Sequence, residues 1–168
     1  YNRDPELRKS LPKQEKFNTL CISCLVESKD KAVILGKRGT TVSESQNSYQ
    51  VTSAGFMDLL ETDQTFLWDQ VLRELEEETA MTKDQIVRDR VLCVVEAQQE
   101  YNTTVDICFL AYSKLNADQI LENAKAAVDK HEQELIKISD RTEALRLLET
   151  ERWDPASAAT LMIYLGLC

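Results

Sequence analysis

Three glutamates carry the strongest chemical signal in the chain. Glu74, Glu77 and Glu78 lie in the run Arg73-Glu74-Leu75-Glu76-Glu77-Glu78, inside a stretch from Thr65 to Met81 that holds no Gly or Pro. At 3.6 residues per turn, the three carboxylates share one face of a helix. Two readings are open. A solvated acidic face costs only roughly 0.2–0.5 kcal/mol per like-charged pair. A face turned into a cleft needs positive charge, and a hard divalent cation with oxygen ligands is the natural source. Mg²⁺ suits such a half-site, because it takes one or two carboxylates together with substrate phosphates. Arg73, four residues before Glu77, can hold a carboxylate in place by a charge-assisted hydrogen bond. Upstream, Gly55 would let backbone approach metal or phosphate where a Cβ would obstruct. Glu61 follows it after a five-residue gap.

Elements on either side must position these groups. Thr65 to Met81 is the helix that carries them, with Phe66, Leu67, Val71, Leu72 and Leu75 at helical spacing. Thr62 or Thr65 can cap it. Before it, Phe17 to Glu27 and Ala32 to Gly36 read as a strand hairpin around Ser28-Lys29-Asp30-Lys31. Tyr49 to Thr52 is a short strand that enters a loop centred on Gly55. After it, Val91 to Gln98 and Thr103 to Tyr112 read as strands, joined through residues 99–102. Asn116 to Lys130 is helical, and Leu135 to Ile138 is a strand. Arg141 to Glu149 and Ala156 to Leu165 are closing helices, the second led in by Asp154-Pro155. The order predicts one mixed α/β (α+β) domain over 17–168, a sheet covered by helices on both faces, behind a polar arm at 1–16.

Composition bounds the function classes. The chain has 168 residues, 20 Lys+Arg against 29 Asp+Glu, and a formal charge of −9. That surplus argues against binding duplex nucleic acid or an anionic membrane surface. It is compatible with a protein that recruits positive charge from metal ions. The longest apolar runs fall far short of the roughly 20 residues of a spanning helix. The five cysteines include Cys21-Ile22-Ser23-Cys24, but residues three apart on a strand point to opposite faces. With His131 as the single histidine, a structural zinc site lacks ligands. Buried thiols in a reducing, cytoplasmic setting are the expectation.

The whole pattern resembles the Nudix hydrolase superfamily, whose signature is G-x5-E-x7-R-E-U-x-E-E-x-G-U, with U a bulky aliphatic residue. Gly55 and Glu61 match its first two fixed positions. Arg73, Glu74, Leu75, Glu77 and Glu78 match its core, and Met81 its end. Two departures stand out. The spacer from Glu61 to Arg73 is eleven residues, and Ala80 stands where the family has Gly, which should give a different turn at the helix end. The resemblance implies a Nudix fold and a hydrolase of a nucleoside diphosphate linked to another moiety. Glu74, Glu77 and Glu78 would hold Mg²⁺ or Mn²⁺, Arg73 would orient them, and Glu61 would be an accessory acid. The cation would bridge pyrophosphate oxygens and lower the pKa of a bound water for in-line attack. A homodimer is common in the superfamily. The rival reading is a Nudix-fold module that holds a nucleotide without cleaving it. An isoprenoid diphosphate isomerase of the same fold is disfavoured, since it would need several His ligands.

Further candidates are less legible. A general base outside the signature could be Glu96, Glu100, Glu132 or Glu134, the last two near His131. Lys37 and Arg38 could contact substrate phosphates, and a solvated strand end is equally compatible with them. Phe17, Tyr49, Tyr101 and Trp153 could stack on a base, although aromatic residues in a small domain usually serve the core. Trp68 and Phe66 belong either to the core side of the helix or to the packing of the lengthened spacer before it.

Overall fold

Strand β1 (Thr19–Glu27, TLCISCLVE) organises the molecule, because its alternating side chains feed both faces of a sheet. Ile22, Cys24 and Val26 enter one hydrophobic core, and Leu25 enters a second on the opposite face. The computed structural model describes residues 19–40, 46–57, 67–98 and 103–168. The expected arm at 1–16, Phe17, Glu61, Phe66, Glu100, Tyr101 and the caps Thr62 and Thr65 lie outside the described residues.

The other described strands are β2 (Val33–Arg38), β3 (Tyr49–Val51), β4 (Ser53–Phe56), β5 (Ile86–Gln98), β6 (Thr103–Ser113) and β7 (Gln133–Ile138). The described helices are α1 (Leu67–Thr79), α2 (Ala117–Ala124), α3 (Arg141–Thr150) and α4 (Pro155–Tyr164). The path β3-β2-β1-β6-β5 forms a mixed sheet, with β4 against β1 and β7 against β2. β1 and β6 run parallel from Thr19↔Thr104 to Glu27↔Tyr112.

The other edge of β1 is divided between two strands. Cys21 to Cys24 pair with β4, whereas Val26 and Glu27 pair with β2. The chain crosses from one pairing to the other at Thr52, which is fully buried. Its hydroxyl accepts from Val26 N at 2.8 Å and donates to Ile34 O at 2.6 Å, so one side chain ties the two strands across the split. The sheet therefore opens at a fixed point, beside Gly55.

The two cores give the layers. Val71 and Leu75 of α1 and Ala117 and Ile120 of α2 cover one face with Ile34 and Phe109. Ala144 and Leu147 of α3 and Leu161 of α4 cover the other with Leu35, Val51 and Leu110. This is the expected α/β/α arrangement. Cys21 lines a cleft on one face of β1 while Cys24 is buried in the core on the other, so the CxxC spacing brings no thiol pair together. None of the five cysteines forms a disulfide.

Three boundaries differ from expectation. The segment around Gly55 is a strand, not a loop, paired from Cys21↔Phe56 to Cys24↔Ser53. β5 begins at Ile86 rather than Val91. Its charged start, with Asp89 and Arg90, is tolerated because it is an edge strand, and breaks in register at Ile86/Arg88 and Val91/Cys93 accommodate it. α2 stops at Ala124 instead of Lys130, as Lys125, Ala126 and Ala127 tighten into three-residue turns. The chain then reaches Glu77, whose carbonyl accepts from Asp129 N at 2.9 Å. Among the described residues, no helix is long and apolar enough to cross a membrane.

Candidate active site

α1 buries Val71, Leu75 and Thr79, which turns Glu74, Glu77 and Glu78 toward the split in the sheet. There they line a cleft of about 540 Å³ with Arg73, Gly55 and Arg38. These are six of the residues that sequence analysis named. Glu76, within the same run, is exposed and takes no part. Arg73 holds Glu74, with Nη2 3.1 Å from Glu74 Oε1. Gly55 leaves room for the Glu74 carboxylate. A Cβ there would lie 2.3 Å from Glu74 Cδ and 2.4–2.6 Å from its carboxylate oxygens, well inside contact distance.

Glu78 is the most perturbed member of the set. It is 6% exposed, and burial raises its carboxyl to about 8 from 4.5. The negative charges of Glu74 and Glu132 push in the same direction, while Ala54 N, donating to Oε1 at 3.2 Å, opposes them. Gln133 Nε2 donates to the other oxygen, Oε2.

The cleft also holds carboxylates that the sequence did not single out. Asp106, Asp129 and Asp154 line it with Glu132. Among the described residues, seven carboxyl groups thus face two guanidiniums, Arg38 and Arg73. Asp106 is raised to about 6, chiefly by burial. Its signal was present in the sequence as one acid within the apolar strand Val105-Asp106-Ile107-Cys108-Phe109. Asp154 was legible only as a helix cap, a role it keeps by accepting from Ser157 N at 2.9 Å.

Other candidates fall elsewhere. Lys37 lies over the Tyr49 ring, 5.4 Å from its centroid, and does not line the cleft. Tyr49 stacks on Trp153 at 5.4 Å in the second core, and Trp68 packs on Phe109 at 5.6 Å in the first. Among the proposed bases, Glu132 lines the cleft. Glu134 and His131 line a neighbouring cavity of about 460 Å³, and Glu96 lines neither.

At the end of α1, Ala80 sits at φ +53°, the left-handed region that glycine occupies without cost. Its N–H closes the helix on Glu76 O at 2.9 Å. The replacement of glycine by alanine therefore leaves the helix end in a glycine-like conformation, contrary to expectation.

The residue types fit a divalent cation: hard carboxylate oxygens on one wall, close backbone at Gly55, and a buried acid whose ionised form is disfavoured by desolvation. Among the described residues, no group of three His, Cys, Asp or Glu side chains converges on one point as a formed metal site.

No family model matches the chain, and no curated protein matches it in sequence. Solved structures do resemble it. The Nudix domain of Shewanella oneidensis NrtR, complexed with ADP ribose, superposes with a TM-score of 0.64 at 18% identity, covering 96% of this chain and 95% of that one. A MutT Nudix hydrolase from Burkholderia pseudomallei gives 0.61 at 19%, over 87% and 97%. A MutT protein from Methanosarcina mazei Go1 gives 0.62 at 18%, over 91% and 96%. The chain has the Nudix fold.

Proposed function

We propose that the cleft is the active site of a metal-dependent Nudix hydrolase that splits the pyrophosphate bond of a nucleoside diphosphate linked to another moiety. The observation that carries this reading is the shared placement of Glu74, Glu77 and Glu78 on one wall, with the Glu74 carboxylate packed against Gly55. Those three residues would hold Mg²⁺ or Mn²⁺, with Arg73 fixing Glu74. When bound, the cation neutralises phosphate charge and makes water a better nucleophile. Arg38, on the same cleft, binds phosphate oxygens, which matches a guanidinium to its preferred partner. Glu132 takes the proton of the attacking water as its oxygen bonds to phosphorus and the bridging P–O bond breaks. Glu61 remains the proposed accessory acid. The five cysteines suit a reducing, cytoplasmic setting.

The test is a panel of dinucleoside polyphosphates, ADP-sugars, NADH, coenzyme A esters and nucleoside triphosphates, with Mg²⁺ and with Mn²⁺. At least one should be cleaved, and Glu77→Gln should suppress cleavage at least 100-fold with the fold retained (roughly the loss when a charge-stabilising group is removed). The NrtR domain complexed with ADP ribose favours a second reading, a binding module. Tight nucleotide binding without turnover across panel and metals would select it and overturn the hydrolase.

A further inference from the structure

Behind Glu78 runs a buried chain of amides whose direction is fixed by chemistry. Gln50 on β3 and Gln133 on β7 flank β2 from opposite sides, and their side chains meet over Gly36. Gln50 Nε2 donates to Gln133 Oε1 at 2.9 Å, and both residues are buried, at 3% and 7% exposure. Gly36 makes the meeting feasible. A Cβ there would stand 1.5 Å from Gln133 Oε1 and 3.2 Å from Gln50 Cγ. Gln133 Nε2 then donates to Thr52 O at 2.9 Å and to Glu78 Oε2.

Polarity enters from Arg38. A guanidinium can only donate, and its Nη1 donates to Gln50 Oε1 at 2.7 Å. That bond turns the Gln50 amide so that its NH₂ faces Gln133. The Gln133 oxygen is thereby used, and its NH₂ must face Thr52 O and Glu78. Neither amide can flip without setting donor against donor. A direction set at Arg38, on the cleft, reaches Glu78 through two side chains.

We propose that Gln133 is a positioning residue that orients the Glu78 carboxylate toward a divalent cation, seated by Gly36 and aligned by Gln50 and Arg38. This rests on the reading of Glu78 as a cation ligand. Outer groups that orient a ligand usually change metal affinity by about 10–100-fold when removed.

The experiment measures Mn²⁺ binding to the full chain by electron paramagnetic resonance of the free ion, with circular dichroism to check folding. Gln133→Met keeps the length and removes the donors. Gly36→Ala leaves Gln133 and Glu78 unchanged and displaces the amide. Each should weaken Mn²⁺ binding about tenfold or more while the folded spectrum is retained. Folded variants that both bind within twofold of the unsubstituted chain overturn the proposal, as does outright unfolding of both, which assigns the network to structure alone. Failure of the parent reading is distinguishable. There, the unsubstituted chain binds no Mn²⁺, or Glu77→Gln leaves its binding unchanged, and the positioning role falls with it.

Discussion

Glu78→Gln should remove activity and stabilise the metal-free protein, with the stabilisation confined to higher pH. Burial raises the folded carboxyl to about 8, whereas the ordinary value is 4.5. A raised acid favours folding fully below its unfolded pKa, and that contribution is lost as pH climbs through the folded one. The window is therefore pH 4.5 to about 8. At about 1.4 kcal/mol per pH unit, the loss reaches about 4 kcal/mol at pH 8. Glutamine carries no charge and does not suffer it. It does meet two donors, Ala54 N and Gln133 Nε2, with one oxygen, so one donor faces its NH₂. That conflict costs about 1–3 kcal/mol. The net gain at pH 8 is about 2 kcal/mol, which in a chain of this size raises Tm by about 4–8 °C. Calorimetry in EDTA at pH 5 and pH 8 provides the assay. The variant should lead at pH 8, and its lead should vanish or reverse at pH 5. A difference no larger at pH 8 than at pH 5 would refute the assignment of Glu78 as a buried acid held at a cost in stability.

Three other substitutions test separate parts of the structure. Gly55→Ala places a methyl group against the Glu74 carboxylate, and should lower metal-dependent turnover about 10–100-fold with the circular dichroism spectrum unchanged. Ala80→Gly relieves a left-handed alanine at φ +53°. The strain relieved, about 1–2 kcal/mol, exceeds the added unfolded-state entropy of about 0.4–1 kcal/mol, so Tm should rise by a few degrees in calorimetry. Leu75→Ala empties a fully buried site between α1 and the sheet; urea denaturation should show a loss of about 2–5 kcal/mol.

The sequence made α1 and its glutamates legible because helical period, a long run without Gly or Pro, and a spaced acidic motif all lie within one segment. Strand existence was legible for the same local reason: alternation in β1 and apolar runs in β2 and β6. The identity of β4 was not. Ser53-Ala54-Gly55-Phe56 has weak strand propensity, and its pairing partner, Cys21 to Cys24, lies some thirty positions away. Long-range pairing also hid Gln50 and Gln133. Each is an unremarkable polar residue locally, and their meeting over Gly36 depends on three strands lying side by side. Asp129 entered the cleft because α2 ends early, a boundary that the continuous helix-forming run from Ala124 to Ala127 concealed.

The acidity of the chain acquires a location in the fold. An excess of nine negative charges spread evenly would do little beyond keeping the protein soluble. Among the described residues, seven carboxyl groups on one cleft, two of them raised by burial, form a concentrated field that two arginines do not cancel. Folding tolerates this because the split in the sheet is held by uncharged contacts: Thr52 across β1 and β2, and the Gln50–Gln133 pair over Gly36. Two of the four glycines stand at this split, each where a Cβ would strike a side chain of the site or its support. Hydrogen bonds and close packing thus hold the acids in place, and a bound cation would relieve the repulsion among them. A scaffold built that way predicts that metal raises thermal stability most at high pH, where Glu78 and Asp106 ionise. Calorimetric scans at pH 6 and pH 8, with and without Mg²⁺, should show the larger rise in Tm at pH 8. An equal rise at both would refute the coupling between these acids and the cation.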